Sequence, residues 1–171
     1  MTKEKAIYIT LFFALAAQTA YYYPLLPETM ASHFNFKGTA NGWMTREMFF
    51  LLEYGVILMI YASMALSAWY MNRYPEKMNM MNKDYWLAPE RRDETIAYFN
   101  AKMDHIGIAG SLFMLFVMQC VIETNINGGK VMMDQTTLFI GLAVFLGYML
   151  IWTITLVVKF ARIPSGGRQA R

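Results

Sequence analysis

The chain has 171 residues, of which 57% are apolar and only 16% are charged. Soluble domains carry roughly 25% charged residues, so the composition points away from a soluble protein and toward one compact unit in lipid. The net charge of +3 is spread along the chain without a dense basic cluster, which argues against nucleic acid binding, and the single cysteine, Cys120, excludes an intrachain disulfide.

Four apolar segments are long enough to cross about 30 Å of hydrocarbon, which takes about 20 helical residues. They run 6–26, 48–70, 106–122 and 136–158. None has the two-residue alternation of barrel strands. The sequence therefore predicts an all-α integral membrane domain over residues 1–163, with four transmembrane helices in an up-down bundle. Residues 164–171 are rich in breakers and charges, which predicts a disordered tail.

The first segment is predicted to be a retained helix, because it is longer than a signal-peptide core and runs into three tyrosines. We expect it to end at Pro27. Gln18 and Gln119 are predicted to hydrogen-bond between helices. Pairs of small residues four positions apart predict close helix packing; these are Ser63 and Ser67, Gly107 and Ser111, and Ala143 and Gly147.

Lysine and arginine are distributed unevenly between the two sides of the predicted bundle. Twelve of the 15 lie at the N-terminus, in the 71–105 loop or after the last helix, and three, Lys37, Arg46 and Lys130, lie on the opposite side. Positive residues stay cytoplasmic. The prediction is a multi-pass protein of the bacterial cytoplasmic (inner) membrane, with both termini and the 71–105 loop in the cytoplasm.

The outer loop, residues 27–47, is predicted to be a folded extracytoplasmic cap. Gly38 and the pair Asn41-Gly42 favour tight turns, and Trp43 is placed where the chain re-enters the membrane interface. On the inner side, Pro89 precedes a segment whose apolar residues share one helical face. We expect an interfacial helix there that bends into the third span, with Tyr85 and Trp86 as anchors.

Two motifs resemble a known bacterial membrane family. The outer run YPLLPETMASHFNFKGTANGWMTRE and the inner run NKDYWLAPERRDE are similar to the family called domain of unknown function 1648, which also forms the front part of SdpI-type toxin-immunity proteins. The resemblance covers about the first 125 residues. Asn41 departs from it, because the family usually has Asp before the Gly-Trp pair. The chain is also too short for the additional helices of a full SdpI protein.

The candidate binding residues come from both loops and from the second apolar segment. They are His33, Asn35, Gly38, Asn41, Trp43, Glu53, Asn82, Tyr85 and Trp86. We expect His33 to hydrogen-bond within the cap, to loop backbone or to a carboxylate such as Glu53, and to orient Asn35 toward a partner. Glu53 is either a functional intramembrane acid or a shallow residue paired with His33 or Lys130.

No metal or cofactor is predicted. The two histidines fall on opposite sides of the membrane, whereas zinc needs three or four ligands. The sequence also contains no nucleophile motif and no phosphate-binding loop. Three functions remain open. The leading one is a non-enzymatic protein that binds a toxin or regulator through its outer cap and inner loop. The others are an accessory subunit of a larger membrane complex, and a small enzyme or ion-handling protein that uses His33 and carboxylates (Glu53, Glu123 and Asp134).

Overall fold

A computed structural model describes residues 3–126 and 132–164. In this part of the chain, five α-helices flank one antiparallel β-hairpin. The elements in chain order are α1 (Lys3–Tyr22), β1 (Thr29–Phe34), β2 (Ala40–Thr45), α2 (Arg46–Arg73), α3 (Lys83–Trp86), α4 (Arg92–Ile126) and α5 (Gln135–Ala161). Two short 3-10 turns, Tyr23–Leu25 and Pro75–Lys77, follow α1 and α2.

Three helices, α2, α4 and α5, are long and apolar enough to cross a membrane. The prediction of a mostly helical chain with membrane helices is therefore confirmed. The N-terminal helix α1 is shorter, at 20 residues. It begins with Lys3, Glu4 and Lys5, and its last turn carries polar side chains.

Side-chain contacts define an up-down arrangement of the four long helices. Tyr8 and Gln18 of α1 hydrogen-bond to residues 104 and 119 of α4, so α1 and α4 run parallel. Tyr61 of α2 bonds to Tyr8, and Tyr54 bonds to Thr19, which makes α2 antiparallel to α1. Trp152 of α5 donates to the carbonyl of Lys102 at 3.0 Å, far from the end at which α5 begins, so α5 is antiparallel to α4.

Several predicted boundaries were wrong. The first helix ends at Tyr22 rather than at Pro27, because Pro24 disfavours the α-helical conformation of Tyr23 before it. The predicted interfacial helix and the third span belong to one helix, α4, which is continuous over 35 residues. The second helix extends to Arg73, so the inner connection is shorter than the predicted 71–105 loop.

The apolar core lies at the hairpin end of the bundle. Leu15, Phe50, Ile57 and Ile122 from the helices are buried there together with Met30 of β1. A second, smaller cluster of Met71, Met78 and Ile96 lies at the opposite end. Most of the tail predicted to be disordered, residues 165–171, and Lys130 fall outside the described residues.

Candidate functional site

The outer loop folds as a β-hairpin, and its turn spans residues 35–39. Asn35 Oδ1 accepts hydrogen bonds from the backbone nitrogens of Lys37 (2.8 Å) and Thr39 (3.1 Å). Its own backbone nitrogen donates to the Thr39 carbonyl at 2.9 Å. Gly38 has a φ of +78°, which glycine adopts without steric penalty, and a Cβ there would lie 2.6 Å from the Met133 carbonyl oxygen. The turn is thus closed by hydrogen bonds among its own residues.

Asn125, near the end of α4, attaches the hairpin to the bundle. Its Oδ1 accepts from the Ala31 nitrogen at 2.8 Å, and its Nδ2 donates to the Ala31 carbonyl at 2.9 Å and to the Val121 carbonyl at 2.8 Å. Asn125 and Ala31 are both buried. The Asn125 amide therefore supplies hydrogen bonds to the backbone N–H and C=O of Ala31, which are buried away from water. The sequence analysis did not single out this residue.

The segment just before α5, residues 132–134, is hydrogen-bonded to the tip of the hairpin. The Met133 nitrogen donates to the Gly38 carbonyl at 2.9 Å, and Thr39 forms an isolated antiparallel bridge with Met132. Gln135 Nε2 donates to the Phe36 carbonyl. Asp134 caps α5 by accepting from the Thr137 hydroxyl and backbone nitrogens, and these bonds hold the pKa of Asp134 below its ordinary value.

A groove of about 460 Å³ lies between the hairpin and the first turns of α5. Its lining residues are apolar or amide-bearing, and none is charged: Phe34, Asn35, Phe36, Gly38, Asn41, Met133, Gln135, Leu138 and Phe139. Phe36 is 92% exposed beside it, and Trp43 on the same hairpin is 59% exposed. The structure thus brings three predicted site residues, Asn35, Gly38 and Asn41, to one groove.

Asn35 and Asn41 also have structural positions that the sequence did not indicate. Asn35 Oδ1 accepts hydrogen bonds within the hairpin turn. The pair Asn41-Gly42 lies within β2 and forms no turn, and Gly42 is paired with His33. The sequence gives no local signal for this choice, because Asn-Gly and Gly38 are equally good turn formers.

His33 is exposed on the hairpin. Its Nδ1 lies 3.1 Å from the hydroxyl of the neighbouring Ser32, and the Glu53 carboxyl oxygens make no hydrogen bond to it. The prediction that His33 fixes the turn was wrong, since Asn35 does so. Its ring packs over Gly42, where a Cβ would lie 3.2 Å from Nδ1.

Glu53 lies inside the bundle, on the face of α2 that also carries Phe50 and Ile57. Glu53 is only 4% exposed. Among the described residues, neither carboxyl oxygen has a hydrogen-bond partner. Of the alternatives predicted for Glu53, pairing with His33 is therefore wrong, and pairing with Lys130 falls outside the described residues.

The predicted inner site is a cap on the end of α5. Asn82 Nδ2 donates to the carbonyls of Phe160 (2.9 Å) and Ala161 (3.1 Å), and Trp86 Nε1 donates to Phe160 at 3.2 Å. The last carbonyls of a helix have no partner within it, so these donors complete α5. Tyr85 packs edge-on against Trp86, with the Arg91 guanidinium 4.2 Å from its ring centre.

The side chains proposed for ion handling are not gathered at one point. His33 is on the hairpin surface and Glu53 is in the interior, whereas Glu123 and Asp134 line a small cavity of about 170 Å³ beside Cys120. Within residues 3–126 and 132–164, no group of three or more His, Cys, Asp or Glu side chains could hold a metal ion.

The part of the chain that is similar to a known family consists of the hairpin and the two helix segments next to it. Residues 9–53 match the family model "Domain of unknown function (DUF1648)". This match confirms the predicted resemblance for the outer motif. The DUF1648 segment comprises most of α1, the whole hairpin and the start of α2 as far as Glu53, and it excludes the inner motif around Trp86. No curated protein and no solved structure matches the chain.

Proposed function

We propose that this chain is a non-enzymatic membrane protein that binds an apolar segment of another protein in the groove beside its DUF1648 hairpin. The observation that carries the proposal is Phe36, a large apolar side chain 92% exposed on a turn that is itself closed by hydrogen bonds. A rigid exposed aromatic residue is typical of binding hot spots, because little conformational entropy is lost when it is buried.

The chemistry of the groove selects the partner. Phe34, Phe36, Leu138 and Phe139 provide an apolar surface, and amide side chains at its edge can both donate to and accept from a peptide backbone. Because no charged side chain lines the groove, an uncharged apolar segment fits better than an acidic or basic one. An SdpI-like toxin, a regulator or a subunit of a larger complex would supply such a segment.

The proposal includes four membrane crossings with the hairpin outside. The 20 residues of α1 span about 30 Å, and α1 packs along α4 from Tyr8 to Tyr22. A helix at the same depth as a membrane-spanning neighbour is best explained as a span. The distribution of Lys and Arg supports cytoplasmic termini in a bacterial inner membrane.

Photocrosslinking tests the groove. A photoreactive amino acid at position 36 should cross-link to a discrete protein in intact cells, whereas the same label at position 37 should not, because Lys37 is exposed on the same turn but does not line the groove. Phe36→Ala should weaken capture of that protein about tenfold or more, corresponding to about 1.4 kcal/mol or more. Lys37→Ala is the matched control and should have no effect.

The result that would contradict this function is a label at position 36 that reacts with lipid alone. Phe36 would then be a membrane-interface anchor. Equal protein cross-linking from positions 36 and 37 would mean that the contact is not specific to the groove.

A second candidate function is an accessory subunit of a larger membrane complex. Its support is α5, whose most apolar 18-residue window has no buried residue although α5 packs along α4. Exposed large side chains such as Phe139, Leu146 and Ile151 offer a face to another membrane protein. Cross-linking from position 146 rather than 36 would favour this function over groove binding.

A further inference from the structure

A chain of hydrogen-bonded side chains leads from the surface into the bundle at the hairpin end. It begins at Glu123, which is exposed on α4, and passes to Gln119 one turn earlier, whose Nε2 donates to Glu123 Oε1 at 2.8 Å. Gln119 Nε2 also donates to the Tyr22 hydroxyl at 2.9 Å. Gln119 Oε1 accepts from Gln18 Nε2 of α1, again at 2.8 Å.

The donor-to-acceptor direction of these hydrogen bonds is set by Glu123 at the outer end. A carboxylate accepts hydrogen bonds and has none to donate, so Gln119 must turn its NH₂ group toward Glu123. Its carbonyl oxygen then faces Gln18, which must in turn offer its own NH₂ group. Gln18 Oε1 is consequently left as the inner end of the chain. This atom is buried and has no hydrogen-bond partner among the described residues.

Glu53 lies at the same level of the bundle. Tyr54, the next residue along α2, donates to the Thr19 hydroxyl at 3.2 Å, and Thr19 is the next residue after Gln18. Both carboxyl oxygens of Glu53 are buried and unpartnered in the described chain. This level therefore contains three buried acceptor atoms that receive no hydrogen bond from the described residues. A buried acceptor without a donor costs about 1–3 kcal/mol, and an unpaired buried charge costs more.

We propose that Glu53 is a proton-binding site, and that its carboxylic acid donates a hydrogen bond to Gln18 Oε1. Proton uptake from solvent turns one acceptor into a donor and removes the charge, and the O–H group then satisfies the inner end of the Glu123–Gln119–Gln18 chain. The completed network links α1, α2 and α4 directly beneath the hairpin.

The charged and titratable neighbours favour the neutral acid. At this level, the titratable groups on the packed helices include Tyr22 of α1, Tyr54 of α2, and the buried Cys120 and the exposed Glu123 of α4. Within one turn of it, the described parts of these helices carry no Lys, Arg or His. Arg46 is two turns away on α2 and is engaged with Glu47 and the carbonyls of residues 23 and 26, and His33 is exposed on the hairpin.

Infrared spectroscopy of the purified full chain at neutral pH tests the site. The wild type should show a carboxylic acid C=O band that Glu53→Gln abolishes. Glu47→Gln, which changes an exposed glutamate on the same helix, is the matched control and should leave the band in place. Gln18→Met, with Gln18→Ala as a second variant, should shift the band because the acid loses its acceptor.

Two results would overturn the proposal. If the wild type has no acid band that depends on Glu53, the carboxylate is ionised and is held by a cation such as Lys130. If the band depends on Glu53 but keeps its position in both Gln18 variants, the acid does not donate to Gln18. Loss of protein capture by Phe36→Ala is independent of either result, so this site and the groove can fail separately.

Discussion

Asn125 joins the end of α4 to the first strand of the hairpin through its side-chain amide. It satisfies both backbone groups of Ala31 from 94 residues away in the chain. The sequence marked His33 instead, because histidine is rare in this chain and chemically versatile. For an asparagine near the end of an apolar helix, no local sequence pattern indicates a hydrogen-bond partner that is distant along the chain. Its role becomes visible only when the hairpin is packed on α4.

Asn125→Ala should destabilise the protein and release the hairpin. The substitution leaves the nitrogen and carbonyl of Ala31 buried without partners, at about 1–3 kcal/mol for each group. Thermal unfolding in one detergent should show a clear fall in the midpoint, and limited proteolysis should cut near the hairpin. Asn72→Ala is the control, because Asn72 is exposed and bonds only to its own helix. Equal midpoints for the two variants would contradict the role given to Asn125.

Other residue-scale predictions concerned the kind of interaction rather than its partner. Gln18 and Gln119 were predicted to hydrogen-bond between helices, and Gln18 Nε2 donates to Gln119 Oε1 at 2.8 Å. Gly38 was predicted in a turn and adopts a positive φ there. Asn82 and Trp86 were predicted as binding residues, and in the structure their side chains donate hydrogen bonds to the end of α5. The sequence could not supply that destination, because it depends on where α5 ends in space.

At the scale of elements, small residues matter only where helices cross. Gly107 lies where α1, α2 and α4 meet, and a Cβ there would be 2.3 Å from Tyr8 Oη and 2.7 Å from Met64 Cγ. Ser111, one turn later, is fully buried. Gly147 belongs to a pair with the same spacing, yet it has nothing within 4 Å of such an atom. Spacing alone therefore did not separate contact surfaces from lipid-facing ones.

Gly107→Ala and Gly55→Ala should change stability in opposite directions. The new methyl group at position 107 meets two side chains from neighbouring helices, and overpacking of this kind typically costs about 1–3 kcal/mol. At position 55 the methyl group enters open space, and alanine is favoured over glycine in a helix by about 1 kcal/mol. Unfolding midpoints measured side by side should fall for the first variant and hold or rise for the second. A Gly107→Ala protein as stable as the wild type would mean that the helices do not cross there.

At the scale of the whole molecule, composition and apolar length predicted the helical membrane class and the positions of four helices. The strands of the hairpin were not predicted. Residues 29–34 and 40–45 are short, and their pairing is stabilised by contacts with α4 and with the chain entering α5. The full length of α4 was not predicted either. Charged residues at its start suggested an interfacial helix that bends into the third span, whereas α4 is one continuous helix through Ile106.

The charges at the two ends of the bundle predict its orientation in a membrane. The bundle places the hairpin and the start of α5 at one end, and the start of α1, the connection around Trp86 and the end of α5 at the other. Of the 12 lysines and arginines in the described residues, ten lie at the second end, and moving them across a membrane is disfavoured, so we expect this end to be cytoplasmic. In a Cys120→Ser background, Thr39→Cys should react with a membrane-impermeant thiol reagent on intact cells. Met81→Cys, which is 53% exposed as methionine, should react only after the cells are permeabilised. The inverse labelling pattern would place the hairpin and its groove inside the cell, where a toxin or regulator arriving from outside could not reach it.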